Sequence, residues 1–413
     1  MTPEALLLVV GAGHAGAELA VQARECGWAG RIVLVGDEQA LPYHRPPLSK
    51  AYLAGEATLD AIALKARVTY DKAHVEWQPG RHVAAIDRAT ATVRFSDGGT
   101  LPYTLLALAT GGRPRPLPAA AGAAAQAPNF HYLRTLADVD RIRAGFQQGG
   151  RLTIVGGGYI GLEVAAVAVK CGLKVTLLEA AERVLARVTA PPVSAFYEQV
   201  HRAAGVDLRT GVQADRLVLD ASGRVAEVHC SDGERIATDL VIAGIGLLPN
   251  TELAAAAKMA GSLVREQGST RIPSSTRNPA AGDCTRFMSP LYGRSLRLES
   301  VPNALEQARC AAVTLCGQER RQDNVPWFWS DQYELKLKMV GLSQGHDRFV
   351  LRGSVEQRSF SAFYLKGTRV LAVDTVNRVP EFMLAKRLVA ERLPVDPERL
   401  ADEGVPLKNQ IAA

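Results

Sequence analysis

Apolar residues fall into two kinds of run along this chain. The first kind is continuous. Leu6-Leu7-Leu8-Val9-Val10 and Leu152-Thr153-Ile154-Val155 are too short for buried helices and end in glycine. Such runs predict strands buried on both faces of a parallel sheet. Each enters Gly-x-Gly-x-x-Gly, first as Gly11-Ala12-Gly13-His14-Ala15-Gly16 and then as Gly156-Gly157-Gly158-Tyr159-Ile160-Gly161. A helical pattern follows each, over 17–26 and 162–171. Second apolar strands, over 31–38 and 174–179, end in acid: Asp37-Glu38 and Glu179. Further strands are expected at 105–109, running into Thr110-Gly111-Gly112, and at 239–243, running into Gly244-Ile245-Gly246.

The second kind alternates. Past residue 325, Glu334 to Met339 alternates polar and apolar, and segments near 347–352 and 360–365 are read the same way, as antiparallel strands. The tail from 380 reads as helix, then loop. The alanine- and proline-rich stretch 114–128 reads as a loop or linker. The pattern predicts an α/β chain with two Rossmann-like units, the second inserted into the first, and a C-terminal α+β piece. The expected boundaries are 1–113, 114–243, 244–322 and 323–413.

Composition narrows the class. At about 150 residues per domain, 413 residues imply two or three domains. Forty-eight basic and 42 acidic residues leave a net charge of +6, which favours acidic partners. The basic residues are scattered, without a Lys/Arg block or finger spacing, so no nucleic-acid role is expected. No apolar stretch reaches the length of about 18 residues that a membrane span needs. No basic segment precedes the apolar start, so a secretory signal is not expected. Cysteines at 26, 171, 230, 284, 310 and 316 form neither CxxC nor a zinc spacing. A reduced, cytoplasmic setting and no metal are expected, and enzymes relaying electrons through paired cysteines are disfavoured.

The glycines have separate tasks. Gly11 and Gly156 permit a tight turn. Gly13 and Gly158 let backbone approach a pyrophosphate. Gly16 and Gly161 let helix pack close to strand. The helix N-terminus then offers free N–H groups and a favourable dipole to the anion. A carboxylate closing the second strand would hydrogen-bond ribose hydroxyls, Asp37 or Glu38 at the first site and Glu179 at the second. Glu179 would repel a 2′-phosphate and so favour NADH over NADPH; Arg183 and Arg187 downstream temper that preference. Two such sites imply two dinucleotides, read most economically as FAD held permanently and a nicotinamide that visits.

Three further runs hold candidate chemistry. In Arg45-Pro46-Pro47-Leu48-Ser49-Lys50, paired prolines stiffen the entry and Ser49 is expected to cap a helix. Lys50 would project from its first turn, either as a surface cation or as the charge that stabilises a reduced flavin. Glu163 is either a first-turn glutamate stabilised by the dipole or the partner of Lys50. The aromatics from Trp327 to Tyr333, Trp329 among them, form either a domain core or a wall beside the flavin. Gly341-Leu342-Ser343-Gln344-Gly345 matches a nucleophile-elbow string. The alternating flanks predict a hairpin turn there instead.

With these residues in view, the chain resembles the FAD-dependent ferredoxin and rubredoxin reductases over nearly its whole length. The resemblance lies in Pro46-Pro47-Leu48-Ser49-Lys50-Ala51-Tyr52-Leu53, Ala109-Thr110-Gly111-Gly112-Arg113-Pro114-Arg115-Pro116-Leu117-Pro118 and the segment 156–164. It continues through 188–197, 243–250, Glu299-Ser300-Val301-Pro302-Asn303-Ala304-Leu305-Glu306-Gln307-Ala308 and 327–333. It implies a glutathione-reductase-like flavoprotein architecture: a two-piece FAD domain (1–113 and 244–322), an inserted NAD domain (114–243), and a C-terminal domain covering the flavin. FAD contacts are implied at Ala15, Asp37, Lys50, Val83, Arg134, Asp283 and Val301, beside the first glycine motif, Thr110 and Gly111. NADH contacts are implied at Gly158, Tyr159, Ile160, Glu163, Glu179 and Gly246, with Tyr159 shielding the flavin until a nicotinamide displaces it. Lys50 and Glu163 would carry the catalytic role. The partner implied is an acidic [2Fe–2S] ferredoxin serving a haem-thiolate monooxygenase, and a monomer is the default. The stretch 258–279 departs from the family, keeping its length but losing its apolar strand pattern.

Overall fold

The computed structural model describes residues 4–118, 124–259 and 278–410. Most of the departing stretch, 260–277, lies outside the described residues. The chain forms two compact units. One comprises Met1–His44, Leu59–Arg113 and Leu248–Trp327; the other comprises Arg45–Thr58, Pro114–Leu247 and Phe328–Ala413.

The first unit is built on a four-stranded parallel sheet in the order Val75–Gln78, Arg31–Val35, Leu6–Val10, Leu105–Leu108. The unbroken apolar run is explained by burial on both faces. Leu7 and Val9 join the cluster that includes the helices His14–Glu25 and Val301–Leu315. Leu6, Leu8 and Val10 join the cluster that includes a three-stranded antiparallel sheet over Val83–Asp87, Thr92–Phe95 and Thr100–Pro102. Leu7 and Leu8 are both 0% exposed, so neither face tolerates a polar residue.

The second unit repeats the plan. Its parallel sheet runs Asp207–Thr210, Lys174–Glu179, Arg151–Val155, Leu240–Ala243, Phe130–Tyr132. A three-stranded antiparallel sheet, Ala214–Leu219, Val225–Cys230 and Arg235–Ala237, shares a core with Val155, Leu178 and Val241. The helix Tyr159–Lys170 follows the second glycine motif, and Leu136–Gln147 starts on a capping box between Thr135 and Asp138. The same unit contains a five-stranded antiparallel sheet in the order Trp327–Gln332, Leu335–Gly341, Arg369–Val376, Ser359–Lys366, Arg348–Ser354. The helix Val379–Glu391 packs on it through Phe382, Ala385, Leu388 and Val389. The α/β class with two Rossmann-like sheets and a C-terminal α+β region is thus present.

Two local expectations are corrected. Strands Leu335–Gly341 and Arg348–Ser354 are not neighbours, because Arg369–Val376 and Ser359–Lys366 lie between them. Residues 342–347 therefore connect distant strands and do not form a hairpin turn; no helix follows, which also removes the nucleophile elbow. Pro46–Ser49 is a single 3₁₀ turn with Lys50 at its C-terminal end, so Ser49 caps nothing. Among the described residues, no cluster could hold a metal and no helix is long and apolar enough to cross a membrane.

Candidate cofactor sites and a buried ion pair

The two glycine motifs share one geometry. Gly11 and Gly156 have φ of +104° and +113°, where a side chain would be strained. A Cβ on Gly16 would lie 1.8 Å from the Gly11 carbonyl oxygen, and one on Gly161 would lie 2.0 Å from that of Gly156. These are the close helix–strand approaches the motif exists to allow. At Gly13 and Gly158 the opposite holds: a Cβ would meet nothing within 4 Å. Both residues begin their helices without a side-chain cap, and neither first turn carries an acid. Uncapped N–H groups beside open space suit a pyrophosphate, which supplies the missing acceptors.

Around the first motif, Ala15 lies 3.2 Å from the position a Cβ would take on Gly282, beside the half-buried Asp283. Thr110 donates through Oγ1 to the Asn250 carbonyl at 2.6 Å, and Asn250 Nδ2 returns a bond to the Thr110 carbonyl at 2.9 Å. Gly111, at φ +61°, accepts from the Asn250 amide. Val301 opens a 15-residue helix whose cap is Ser300, so its backbone stands at a helix N-terminus. Asp37 is open, its carboxylate 70% exposed and 3.3 Å from His82 Nδ1, next to the buried Val83. Glu38 accepts from the Tyr43 hydroxyl at 2.5 Å. Cys284 is buried, which pushes its thiol up and makes it inert.

Around the second motif, Glu179 turns back on the glycine loop. Its carboxylate accepts from the Gly157 amide at 2.6 Å and the Ala181 amide at 2.8 Å. Arg183 is spent on local partners: the Thr189 and Ala186 carbonyls and Ser194 Oγ, at 2.6–2.8 Å. It is not free for a 2′-phosphate. Gly246, at φ +112°, accepts from the Arg115 amide, and the Arg115 and Arg187 guanidinium groups approach it. Ile160 is exposed. The Tyr159 ring lies 4.8 Å from that of Phe328, and its hydroxyl reaches Met339 Sδ at 2.8 Å. Trp327, Phe328 and Trp329 are all half-buried, unlike core aromatics. Arg134 donates its amide to Asp138 and accepts Arg45 Nη1 on its carbonyl at 2.5 Å.

Lys50 and Glu163 meet. Lys50 Nζ lies 2.6 Å from Glu163 Oε2 and 3.2 Å from the Pro46 carbonyl it also donates to. Ser49 Oγ donates to Glu163 Oε2 at 2.5 Å, and Ser330 Oγ donates to Oε1 at 2.6 Å. The carboxylate is only 2% exposed. Burial pushes its proton affinity above the usual carboxylate range, against the pull of Lys50 and the two serines. Of the two sequence readings of Glu163, the ion pair is the one present.

Sequence reasoning missed Ser49 and Ser330 as partners of Glu163, and missed Gln332, which donates to Ser330, and His201, which meets the Gln332 amide oxygen. Ser49 was read as a helix cap. Ser330 and Gln332 sit two apart in an aromatic strand, and that spacing on one face was the available signal. Nothing local in the sequence marked His201.

Two dinucleotide-binding frames, both with the features a pyrophosphate requires, point to a class of flavin- and pyridine-nucleotide-dependent oxidoreductase. The chain belongs to the pyridine nucleotide-disulphide oxidoreductase family, whose model matches residues 6–308; a reductase C-terminal model matches residues 327–411. It is a flavoprotein oxidoreductase, and its cofactors are FAD and NAD(H). All six cysteines are free thiols. The chain is 54% identical to putidaredoxin reductase of Pseudomonas putida over 98% of its own length and 97% of that protein's. It is 41% identical to rhodocoxin reductase of Rhodococcus erythropolis, over 98% and 94%. It superposes with a TM-score of 0.92 on the reductase in a covalent putidaredoxin reductase–putidaredoxin complex, at 54% identity over 99% and 98% of the two chains. A ferredoxin reductase from Rhodopseudomonas palustris gives the same TM-score at 38% identity, over 98% and 100%. The resemblance read from the sequence is borne out.

Proposed function

We propose that this chain is an NADH-dependent reductase of a [2Fe–2S] ferredoxin that serves a haem-thiolate monooxygenase. The observation that carries the reading is the buried Lys50–Glu163 pair, in the same unit as the second glycine motif. When bound, FAD would supply two-electron acceptance from NADH and one-electron release, the chemistry a one-electron iron–sulfur acceptor needs.

The residues divide the work as follows. Gly11, Gly13, Ala15, Gly16, Asp37, Val83, Thr110, Gly111, Asp283 and Val301 hold FAD, together with Lys50 and Arg134. Gly156, Gly158, Tyr159, Ile160, Gly161, Glu163, Glu179 and Gly246 receive NADH, with Trp329 as an aromatic wall. Glu179 orients the ribose and rejects a 2′-phosphate, since Arg183 is already committed. Lys50 carries positive charge to the place where reduction builds negative charge, and Glu163 holds that ammonium in position. The segments 1–113 and 244–322 serve FAD, 114–243 serves NADH, and 323–413 completes the enzyme as its C-terminal domain. The protein works as a cytoplasmic monomer.

Support for the partner comes from relatives named for ferredoxins and from the net charge of +6, which suits an acidic protein. The test is anaerobic mixing of the NADH-reduced enzyme with an acidic [2Fe–2S] ferredoxin, followed at the ferredoxin's own absorbance. Stoichiometric bleaching of two ferredoxins per NADH is expected. Full flavin reduction with no transfer to the ferredoxin would contradict the reading.

A further inference from the structure

A buried polar chain leads away from Glu163 through groups that the proposed reaction does not otherwise use. Ser330 Oγ lies 2.6 Å from Glu163 Oε1, and Gln332 Nε2 lies 3.1 Å from Ser330 Oγ. Gln332 Oε1 lies 2.9 Å from His201 Nε2, and His201 Nδ1 lies 3.1 Å from the Tyr333 hydroxyl. Ser330 and His201 are 0% exposed and Gln332 is 1% exposed, whereas Tyr333 is half-buried.

The chemistry of one end fixes every donor. An ionised Glu163 only accepts, so Ser330 must donate to it. The serine oxygen then accepts the Gln332 amide N–H. That leaves the amide oxygen facing His201, so Nε2 must carry hydrogen. In the neutral ring that burial favours, Nδ1 is then the acceptor for Tyr333 O–H. Each assignment forces the next, and all four donors point toward the carboxylate. Aligned donors polarise one another, so the far end contributes to the near one.

We propose that His201, held as its neutral Nε2–H tautomer, is a positioning residue for the reaction: through Gln332 and Ser330 it keeps Glu163 ionised, and so keeps the Lys50 ammonium in place. The proposal rests on the function given above. Burial favours neutral His201, lowering its proton affinity against the pull of Gln332. The other titratable groups around the chain do not replace its work. Lys50 and Ser49 face Glu163 from one segment, and Tyr159 and Tyr197 feel its charge from two helices. Asp374 and Asp331 act on Tyr197, and Asp374 also acts on Tyr159. None of these donates to Oε1, the oxygen that Ser330 holds.

The test uses the holoenzyme with ¹⁵N-labelled histidine, the His201 signal being assigned by its loss in His201→Asn. The signal is expected to stay neutral, protonated at Nε2, through the neutral range. Gln332→Met keeps length but removes both amide arms. Glu163 then loses polarised donation, its charged form is less favoured, and its proton affinity rises. The acid limb of NADH-driven flavin reduction should move up by about one pH unit. The His201 signal should become a mixture of tautomers. Tyr333→Phe, at a half-buried position, removes only the last donor and should shift the limb less, in the same direction. A His201 signal that titrates near the ordinary histidine value overturns the proposal, as do acid limbs in both variants that coincide with wild type. Failure of NADH to reduce the flavin at any pH would overturn the functional reading instead, and the histidine signal would then decide the relay.

Discussion

Lys50 and Glu163 show how one residue's worth depends on its neighbour. Lys50→Met leaves a carboxylate buried without its cation, with only Ser49 and Ser330 to satisfy it. Flavin reduction by NADH should slow by about 100-fold, the usual cost of losing one preorganised charge-stabilising group. Stopped-flow reduction at wild-type speed would leave Lys50 a structural role only. At Glu179, replacement by alanine should raise the NADH KM by about tenfold, the worth of one hydrogen bond to a charged acceptor. A KM equal to wild type would remove Glu179 from the ribose site. Asp374 carries a different pH signature. It is 3% exposed and accepts from the Tyr364 hydroxyl at 2.5 Å. Burial pushes its carboxyl up to about 7, the Tyr364 bond opposing. Unfolded, it would ionise near about 3.9. Between those values the native state keeps a proton that the unfolded chain has lost, so stability falls as pH rises through the window. Asp374→Asn has no such loss. Its thermal midpoint should gain on wild type from pH 5 to pH 8; parallel midpoints would show that Asp374 does not titrate there.

At the scale of elements, the glycine-rich turns were the most legible part of the chain. A buried parallel strand, a turn that forbids Cβ and an amphipathic helix are all local, so the sequence displays them. Gly161→Ala would drive a Cβ to within 2.0 Å of the Gly156 carbonyl, a clash between two backbones that no rotamer relieves. NADH binding should be lost while FAD content is kept, because the FAD contacts proposed for the first motif lie in the other unit. Loss of FAD in this variant, measured by its flavin absorbance, would contradict that division. What could not be read was set by distant pairing. The alternating flank predicts a hairpin at residues 342–347, yet Leu335–Gly341 takes as its partner Arg369–Val376, with Gly341 opposite Ala372 and Leu337 opposite Val376. Ser49 was misplaced for a related reason. Its hydroxyl is claimed by Glu163, 114 residues on, which no local capping rule anticipates. His201 stayed silent because an interior histidine within a helix has no local mark.

For the whole molecule, the sequence reading was strongest where two observations were independent. Two glycine motifs, each followed by an acid-ended strand, required two dinucleotides; either alone would have been ambiguous. The charge of +6 makes a further prediction at this scale. Attraction to an acidic ferredoxin is screened over a Debye length of about 8 Å at physiological salt and about 3 Å at 1 M. The second-order rate of ferredoxin reduction should therefore fall steeply with salt, while reduction of the flavin by NADH should not. A salt-independent rate would move the contact from charge to apolar burial.

The central claim is that electrons pass from NADH, through this protein, to a [2Fe–2S] ferredoxin. The most direct test is NADH-driven reduction of cytochrome c, with and without an added acidic [2Fe–2S] ferredoxin, and with NADPH in parallel. The account predicts a large rate that requires the ferredoxin and prefers NADH. A high oxygen-consuming rate that ignores the ferredoxin would contradict it and make the protein an oxidase on the same scaffold.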